Sequence, residues 1–211
     1  MFTRLLHWIV ARPMVYDLAQ KAVGVSTVRK RVAEQAVKLS DAKLVLDIGG
    51  GTGAVAAMWP PSTRYVCLDI DPMKLQGFLS RNPQGIALQA DATRLPVADS
   101  SVDVVLCNSV THHLTDDLLQ RMIAEAARVL SPKGKLVLTD AIWKEDRRVG
   151  KLIWKYDRGS FPRSAEKLRA VIESHLTIER WEHFAVWHEY IICAAKCRKE
   201  DLDGVRNGPP L

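Results

Sequence analysis

The segment that most restricts the fold of this chain is an apolar run that leads directly into four glycines. Val45–Ile48 has the composition of a short buried strand, and Gly49, Gly50, Gly51 and Gly53 follow it. Glycines here allow a sharp turn and let a ligand lie against bare peptide, beside the exposed N–H groups of a helix that we expect to open at Gly53. The segment predicts a ligand-binding turn, and a tight turn without a ligand is the alternative.

Short β-rich runs alternate with helical ones from residue 44 onward. Strands are predicted at Leu44–Ile48, Tyr65–Ile70, Gly85–Gln89, Val102–Cys107 and Lys135–Thr139. Between them, helices are predicted from Gly53, near Pro72–Ser80 with Asp71 as its cap, and over Asp116–Leu130, which Ser131–Gly134 would end. Such alternation predicts a parallel sheet with helices on both faces.

Two further strands, Leu176–Phe184 and Val186–Cys197, follow a helix that runs from residue 164 to about Glu173. Because only a tight turn separates these strands, they can pair only antiparallel. The predicted fold class is α/β, a Rossmann-like, doubly wound and mostly parallel sheet of seven strands with a C-terminal antiparallel hairpin. We predict that residues 1–40 form an N-terminal helical cap on a domain at 41–197, and that the polar tail 198–211 is disordered.

Composition narrows the choice of partner and compartment. The 211 residues are 47% hydrophobic with a formal net charge of +6, which fits one globular domain with a solvated basic surface. Four cysteines without a C-x-x-C pair or a secretory leader predict buried thiols in a reducing cytoplasm. The apolar stretch 5–10 is too short to span a membrane. Its helix either packs on the domain or makes a peripheral membrane contact.

The acidic residues around the glycines favour a cationic cofactor over a dinucleotide. Gly49-x-Gly51-x-x-Ala54 also satisfies the dinucleotide fingerprint, and Asp69 stands where a ribose-binding acid belongs. Asp47, however, puts a carboxylate beside the site, which attracts a sulfonium or ammonium group and repels a pyrophosphate. The loop contains no Lys or Arg, and the G-K-[ST] sequence of a nucleotide P-loop is missing.

The order of these motifs resembles that of the class I S-adenosylmethionine methyltransferases, and most closely the small-molecule and quinone-biosynthesis subgroup. The family's first motif, an acidic residue followed by G-x-G-x-G, is matched by Asp47, Gly49, Gly51 and Gly53. Further motifs follow in order at residues 67–72, 89–96, 102–114 and 128–136. The resemblance implies S-adenosyl-L-methionine as the cofactor and S-adenosyl-L-homocysteine as its product.

The resemblance also implies roles for individual residues. Asp69 would take both ribose hydroxyls, for which a carboxylate has two acceptor oxygens, and Ile70 follows it in the same motif. Asp91 would accept a hydrogen bond from the adenine amino group, and the backbone N–H of Ala92 would meet the ring. Asn108, after the fourth strand, completes the predicted cofactor-binding residues.

Methyl transfer is an in-line displacement at an activated carbon, so the protein must chiefly align a nucleophile and exclude water. Ligands of doubly wound sheets bind beyond the carboxyl ends of the strands, which places Asn108, Ser109, His112, His113 and Asp140 nearest the methyl group. His112 or His113 is the predicted general base, and a structural or cofactor-stacking histidine is the alternative. No metal site is predicted, because the adjacent histidines would point to opposite faces of an extended segment.

Residues 141–163 stand where this fold places substrate-covering insertions. The aromatic residues in this segment suit a small, largely apolar or lipid-like acceptor; they are Trp143, Trp154, Tyr156 and Phe161. Arg147, Arg148 and Arg158 would suit an acidic group of the acceptor. The alternative for the whole segment is a packed helical lid with a solvated basic face.

Other functions remain as alternatives. A nucleic-acid methyltransferase is less favoured, because the sequence shows no appended RNA-binding module and no long basic stripe. An NAD(P)-binding oxidoreductase and a non-catalytic cofactor-binding protein are the others. The acceptor atom (O, N, S or C) and the oligomeric state stay open.

Overall fold

The computed structural model describes residues 25–39, 41–147, 150, 154 and 161–198 of the chain. The strands of this part are β1 Leu44–Ile48, β2 Arg64–Asp69, β3 Ile86–Gln89, β4 Val102–Asn108, β5 Leu130–Ile142, β6 Leu176–Ala185 and β7 Glu189–Cys197. The α-helices for which the structure describes both ends are α1 Val25–Lys38, α2 Pro72–Arg81, α3 Asp116–Val129 and α4 Ala165–Glu173. The strands form one seven-stranded sheet with the order β3-β2-β1-β4-β5-β7-β6.

The sheet is parallel from β3 to β5 and ends in an antiparallel pair. β1 lies between β2 and β4, and all pairings among the first five strands are parallel. β7 runs antiparallel to both β5 and β6. The predicted fold class is therefore confirmed. The strand order reverses between β1 and β4, and such a switch point is where ligands bind in sheets of this kind.

The two faces of the sheet form two apolar cores. Leu46 and Ile48 of β1 pack in the core beneath α3 and α4, whereas Val45 packs in the core that includes Val28 and Val32 of α1. The buried residues of α3 recur at helical spacing along one stripe; they are Leu119, Met122, Ile123, Ala126 and Val129. Burial of each large side chain contributes roughly 1.5–3 kcal/mol, which fixes the helices against the sheet.

The helix predicted to open at Gly53 does not form, and that prediction was wrong. Residues 51–55 are turns, and one 3-10 turn, Ala56–Met58, follows them. Pro60 is the physical reason, because the residue before a proline is pushed out of the helical region. Trp59 accordingly is extended, with φ −93° and ψ 146°.

The local sequence explains where α2 and β5 begin. Asp71 accepts the N–H of Met73 at 2.9 Å, and Pro72 takes the first helical position, which confirms the predicted cap of α2. α3 ends at Val129 and β5 begins at the next residue. Ser131–Gly134, predicted to end the helix, is the irregular start of β5, whose predicted start was Lys135. The register of β5 against β4 shifts there, and a shifted register tolerates Pro and Gly.

The four cysteines are buried, as predicted. In the described ranges, no helix is long and apolar enough to cross a membrane. The apolar stretch 5–10, most of the predicted N-terminal cap and the predicted tail beyond residue 198 lie outside the described residues. α1 is the described part of the cap.

We expect Gly53→Ala to destabilise the fold strongly. Gly53 has φ +72°, and an added Cβ would lie 2.3 Å from Cδ2 of the buried Phe78. Overpacking and backbone strain together predict a loss of about 3 kcal/mol or more in the free energy of unfolding, measured by urea titration. The matched control is Gly51→Ala, where φ is +57° but the nearest atom would be 3.8 Å from the Cβ. It should lose only about 1–2 kcal/mol, and equal losses in both variants would contradict this account.

Candidate functional site

A cavity of about 380 Å³ opens at the carboxyl ends of the strands, beside the switch point between β1 and β4. Its volume suits a small-molecule ligand. Its wall is formed by Gly49, Leu68, Asp69, Ile70, Lys74, Ala90, Asp91, Ala92, Ser109, Val110, His113 and Leu114. Five of the predicted cofactor-binding residues therefore meet here: Gly49, Asp69, Ile70, Asp91 and Ala92.

Asp69 ties the glycine loop to the end of β2. Its side chain is 4% exposed, Oδ2 accepts the N–H of Gly51 at 3.0 Å, and Oδ1 accepts the N–H of Asp71 at 2.9 Å. Each carboxylate oxygen has two acceptor positions, so these bonds leave capacity for two donors of a ligand. Nζ of Lys74 lies 3.8 Å from Oδ2. Sequence reasoning missed Lys74, because only the fold brings the first turn of α2 to the glycine loop.

At Gly49 the glycine loop approaches its neighbours too closely for a side chain. Gly49 has φ +69°, and an added Cβ would lie 2.4 Å from Cγ2 of Val110. An added Cβ at Gly51 would make only ordinary van der Waals contacts, 3.8 Å from Cδ of Lys74 and 3.9 Å from Oδ2 of Asp69. The loop therefore contacts Val110 at Gly49 and lies next to the carboxylate of Asp69 at Gly51.

Asp47 lies behind the glycine loop rather than in the cavity wall. It is 2% exposed, and its Oδ2 accepts the hydroxyl hydrogen of Tyr65. Burial raises the pKa of Asp47 to about 7, an effect that the bond from Tyr65 partly offsets. An added Cβ at Gly50 would lie 2.8 Å from Oδ2, so the carboxyl group packs directly beneath the loop.

Three neighbouring strands carry buried side-chain oxygens without a hydrogen-bond partner. They belong to Asp47 (Oδ1) at the end of β1, Asn108 (Oδ1) at the end of β4, and Thr139 (Oγ1) in β5. Asp47 pairs with Leu106, and Asn108 pairs with Thr139, which puts all three side chains on one face of the sheet. Buried oxygens that lack a donor are costly, so this row can accept hydrogen bonds from a ligand.

His112 and His113 lie in a 3-10 turn and have different surroundings. His113 is exposed and lines the cavity. His112 is 7% exposed, and its Nδ1 lies 2.5 Å from Oδ1 of Asp140. The ring centroids of the two histidines are 4.2 Å apart. The expectation that they point to opposite faces was wrong, because the segment is a turn and not extended.

Asp140 is a fully buried carboxylate at the end of β5, surrounded by donors. Its Oδ2 accepts the N–H and the hydroxyl hydrogen of Thr111, both at 2.6 Å, and its Oδ1 accepts the N–H of Ala141 at 2.8 Å. Burial acts to raise the pKa of Asp140, but the nearby His112 and these hydrogen bonds outweigh it, and the pKa lies below its usual value. At neutral pH, Asp140 is therefore a fixed anion beside His112.

Arg163 fastens the histidine turn to the segment before α4. It is 6% exposed, and its guanidinium donates to the carbonyl oxygens of Thr111 at 2.7 Å, Phe161 at 3.1 Å and Leu114. Its Nε donates to Oδ1 of Asp116 at 2.7 Å. Sequence reasoning missed Arg163, since no local pattern marks it and most of these partners come from a distant part of the chain.

A row of buried rings runs from His112 toward the C-terminal hairpin. The centroid of Trp154 is 5.5 Å from that of His112, His188 follows at 4.8 Å from Trp154, and Tyr190 at 6.1 Å from His188. All four side chains are less than a tenth exposed. The rings form an apolar wall on the side of the histidine turn that faces away from β1 and β2.

The other residues predicted on the substrate side are dispersed. Trp143 is half-buried and Phe161 is exposed. Arg147 forms an ion pair with the buried Glu189, Nη2 to Oε2, at 2.9 Å. Tyr156, Arg148 and Arg158 lie outside the described residues.

The central part of the chain is similar to known methyltransferases. Residues 46–138 match the family model described as a methyltransferase domain. The chain is 36% identical over 102 residues to an uncharacterized methyltransferase of Mycobacterium sp. strain JLS, covering 48% of this chain and 40% of that protein. It is 32% identical over 156 residues to an uncharacterized methyltransferase of Mycobacterium tuberculosis, covering 71% of this chain and 60% of that protein. The chain thus spans only part of the length of the curated relatives it matches.

A solved structure with the same fold carries a bound product. Geranyl diphosphate C-methyltransferase from Streptomyces coelicolor, in complex with Mg²⁺, geranyl diphosphate and S-adenosyl-L-homocysteine, superposes with a TM-score of 0.67. The two sequences are 12% identical, and the match covers 80% of this chain and 78% of that one. At this identity the likeness establishes the fold alone.

The buried Asp47 makes a prediction about pH and stability. Its folded pKa of about 7 exceeds the ordinary value of 3.8, so between these values the folded state binds more protons and stability falls as pH rises. Asp47→Asn removes this contribution. From pH 5 to pH 8, the free energy of unfolding of the variant should rise by roughly 3 kcal/mol relative to the wild type, measured by urea titration. A difference that does not change with pH would contradict the assignment.

Proposed function

We propose that this chain is an S-adenosyl-L-methionine-dependent methyltransferase, since residues 46–138 match the model of a methyltransferase domain. We propose further that its acceptor is a small, largely apolar or lipid-like molecule. The observation that carries the proposal is the cavity at the switch point, which joins a glycine loop, a buried carboxylate and an exposed apolar side chain.

The cavity fits the adenosine part of this cofactor. Asp69 would hold the ribose hydroxyls with the acceptor positions that its bonds to Gly51 and Asp71 leave open. Ile70 is 69% exposed at the rim and offers an apolar surface to the adenine ring. Asp91 and Ala92, in the same wall, would meet the polar edge of the ring.

The buried oxygens of Asp47 and Asn108 fit the cationic end of the cofactor. Both atoms lack a partner and lie at the ends of neighbouring strands behind the glycine loop. The ammonium group of the methionine part carries three donors and a positive charge, which would satisfy both oxygens and favour the ionised form of Asp47. The cofactor would then follow the strand order, with adenine near β3, ribose near β2 and ammonium near β1 and β4.

The same loop is poorly suited to a dinucleotide. Rossmann dehydrogenases place the pyrophosphate at the N-terminus of the helix that follows the glycines. Within residues 51–63 of this chain the glycines lead only into turns and the 3-10 turn Ala56–Met58. The anion site that an oxidoreductase needs is therefore not built here.

The chain's own residues would align and enclose the reactants. Bound S-adenosyl-L-methionine supplies a methyl group already activated on sulfur. The strand next to β4 is β5, so an acceptor in line with that methyl group would lie near Asp140, His112 and the rings of Trp154 and Tyr190. These buried rings would exclude water and favour an apolar acceptor.

Isothermal titration tests the cofactor assignment. We expect micromolar binding of S-adenosyl-L-methionine and S-adenosyl-L-homocysteine, and no signal with NAD. Asp69→Asn should weaken binding of both sulfur ligands by about 10- to 100-fold, because a hydrogen bond to a charged group contributes about 1.5–3 kcal/mol. Gly51→Ala should weaken it as well, since its methyl group would lie 3.9 Å from Oδ2 of Asp69, the oxygen proposed to face the ribose.

The matched control is Asp103→Asn. Like Asp69, Asp103 accepts hydrogen bonds from backbone N–H groups, those of Lys43 at 2.9 Å and Leu44 at 3.0 Å on its Oδ2. These bonds lie at the opposite end of β1. This variant should keep the wild-type affinity. Tight NAD binding with no response to either sulfur ligand would reject the proposal.

A further inference from the structure

We infer that Tyr65 is a positioning residue of the cofactor site. Its hydroxyl holds one oxygen of Asp47, leaves the other oxygen for the ammonium group, and makes cofactor binding release the proton of Asp47. This role rests on the proposed function and goes beyond it, because it adds a buried residue that does not line the cavity and a pH dependence of the cofactor affinity. It is carried by the geometry of the buried Tyr65–Asp47 pair and by the acceptor atoms that the pair leaves without a partner.

The side chain of Tyr65 reaches from β2 to β1 beneath the glycine loop. Tyr65 pairs with Val45, and Asp47 is the next residue on the same face of β1. The hydroxyl of Tyr65 donates to Oδ2 of Asp47, and both side chains are buried. The ring packs in the apolar core with its centroid 6.0 Å from that of Phe78. A ring held in a packed core therefore fixes the rotation of the Asp47 carboxyl group.

The direction of this hydrogen bond does not change near neutral pH. Burial and the negative charge of Asp47 raise the pKa of Tyr65 well above its ordinary value, so the phenol keeps its proton. An ionised carboxylate only accepts hydrogen bonds, and Oδ2 is occupied by Tyr65. The second oxygen, Oδ1, is buried and has no partner. The pair thus presents one defined acceptor atom to a ligand.

A second acceptor atom lies on the adjacent strand. Oδ1 of Asn108 is also buried without a partner, and it belongs to β4, which pairs with β1. An ammonium group has three donors and could satisfy both oxygens at once. Because Tyr65 holds Oδ2, the carboxyl group of Asp47 does not have to be reoriented when the ligand arrives, which lowers the cost of binding.

Without a ligand, the surroundings of Asp47 favour its protonated form. The carboxyl group is removed from water, has one neutral donor, and faces the negative charge of Asp69 on the neighbouring strand. Burial is the largest effect and raises the pKa of Asp47 to about 7, although the bond from Tyr65 acts to lower it. An ammonium group favours the ionised form, so below this pH its binding must displace a proton.

The thiols near Asp47 are neutral, and the nearest lysine contacts a different acid. Burial raises the pKa of Cys67 on β2 to about 12 and that of Cys107 on β4 well above its ordinary value. On α2, Nζ of Lys74 lies 3.8 Å from Oδ2 of Asp69. These groups do not compensate the charge of Asp47.

The charged side chains of α1, which packs on the same face of the sheet, are directed elsewhere. Nη1 of Arg31 lies 3.9 Å from Oε2 of Glu34 and 4.0 Å from Oε2 of Glu182. Lys30 and Lys38 are exposed. No ion pair to Asp47 forms within the described part of the chain, so the cofactor would supply its counter-charge.

Cofactor binding would therefore exchange a proton for an ammonium group. The proton of Asp47 passes to solvent, the hydroxyl of Tyr65 keeps its own proton, and no covalent bond of the cofactor changes. Loss of the Tyr65 hydroxyl would remove the one donor that stabilises the ionised carboxyl group. Asp47 would then hold its proton up to a higher pH, and the cofactor would have to compete with that proton over a wider range.

Titration calorimetry of the full chain with S-adenosyl-L-homocysteine tests this exchange. Phosphate and imidazole buffers differ in ionisation enthalpy, so the two heats together give the number of protons released. Between pH 5.5 and pH 7.5 we expect the affinity to rise by about tenfold or more and then to level off. Release should be roughly nine-tenths of a proton at pH 6 and roughly a quarter at pH 7.5.

Methylthioadenosine is the matched ligand, because it keeps the adenosine and the thioether but lacks the ammonium group. Its affinity should not change over the same range of pH, and its binding should release no proton. A proton exchanged at Asp69 or His113, which line the adenosine cavity, would be seen with both ligands. The difference between the two ligands therefore isolates Asp47.

Tyr65→Phe removes the hydroxyl and keeps the ring. At pH 7 it should weaken S-adenosyl-L-homocysteine by about tenfold, since a hydrogen bond to a charged group is lost from the form that binds. The affinity should still be rising at pH 7.5, where most of a proton should now be released. Methylthioadenosine should bind as it does to the wild type, which would show that the cavity is intact.

A double-mutant cycle separates positioning from a merely structural role. Asp47→Asn should bind S-adenosyl-L-homocysteine weakly and without pH dependence, and adding Tyr65→Phe to it should change the affinity by less than about threefold. An equal loss from Tyr65→Phe in both backgrounds would overturn the inference. So would a wild-type affinity that does not change with pH. Failure of the wild type to bind either ligand would instead reject the proposed function.

Discussion

The carboxylate of Asp69 is the interaction on which the cavity depends. It is buried at the end of β2 and accepts the N–H of Gly51 on one oxygen and the N–H of Asp71 on the other. These bonds hold the glycine loop against β2 and orient the start of α2. A buried carboxylate bonded to backbone donors is rigid, so the loop that would receive a cofactor is shaped before any ligand arrives.

A second buried carboxylate organises the other half of the site. Asp140 at the end of β5 binds both Thr111 and His112, and Arg163 fixes the same turn from the opposite side. The two acids thus build neighbouring regions with different chemistry. We propose that the first offers its remaining acceptor positions to a sugar, whereas the second holds an imidazole beside an aromatic wall. Transfer of a group from a cofactor to an acceptor needs such an arrangement.

The sequence predicted the features that depend on local pattern. The strand and helix alternation, the terminal hairpin and the Asp71 cap follow from periodicity and capping chemistry, and the fold confirms them. The helix predicted at Gly53 does not form, because Pro60 pushes the preceding residue, Trp59, out of the helical region. The role of Arg163 was not predictable, since only packing brings it to Thr111, 52 residues away in the sequence. The same holds for Lys74, which only the folded chain brings beside Gly51.

The central claim is that the cavity receives S-adenosyl-L-methionine in one orientation along the sheet. A crystal structure of the full chain with S-adenosyl-L-homocysteine tests it most directly. The account predicts both ribose hydroxyls on the carboxylate of Asp69, and the ammonium group within hydrogen-bond distance of Oδ1 of Asp47 and Oδ1 of Asn108. A ligand bound elsewhere, or one whose ammonium points away from β1 and β4, would contradict the account.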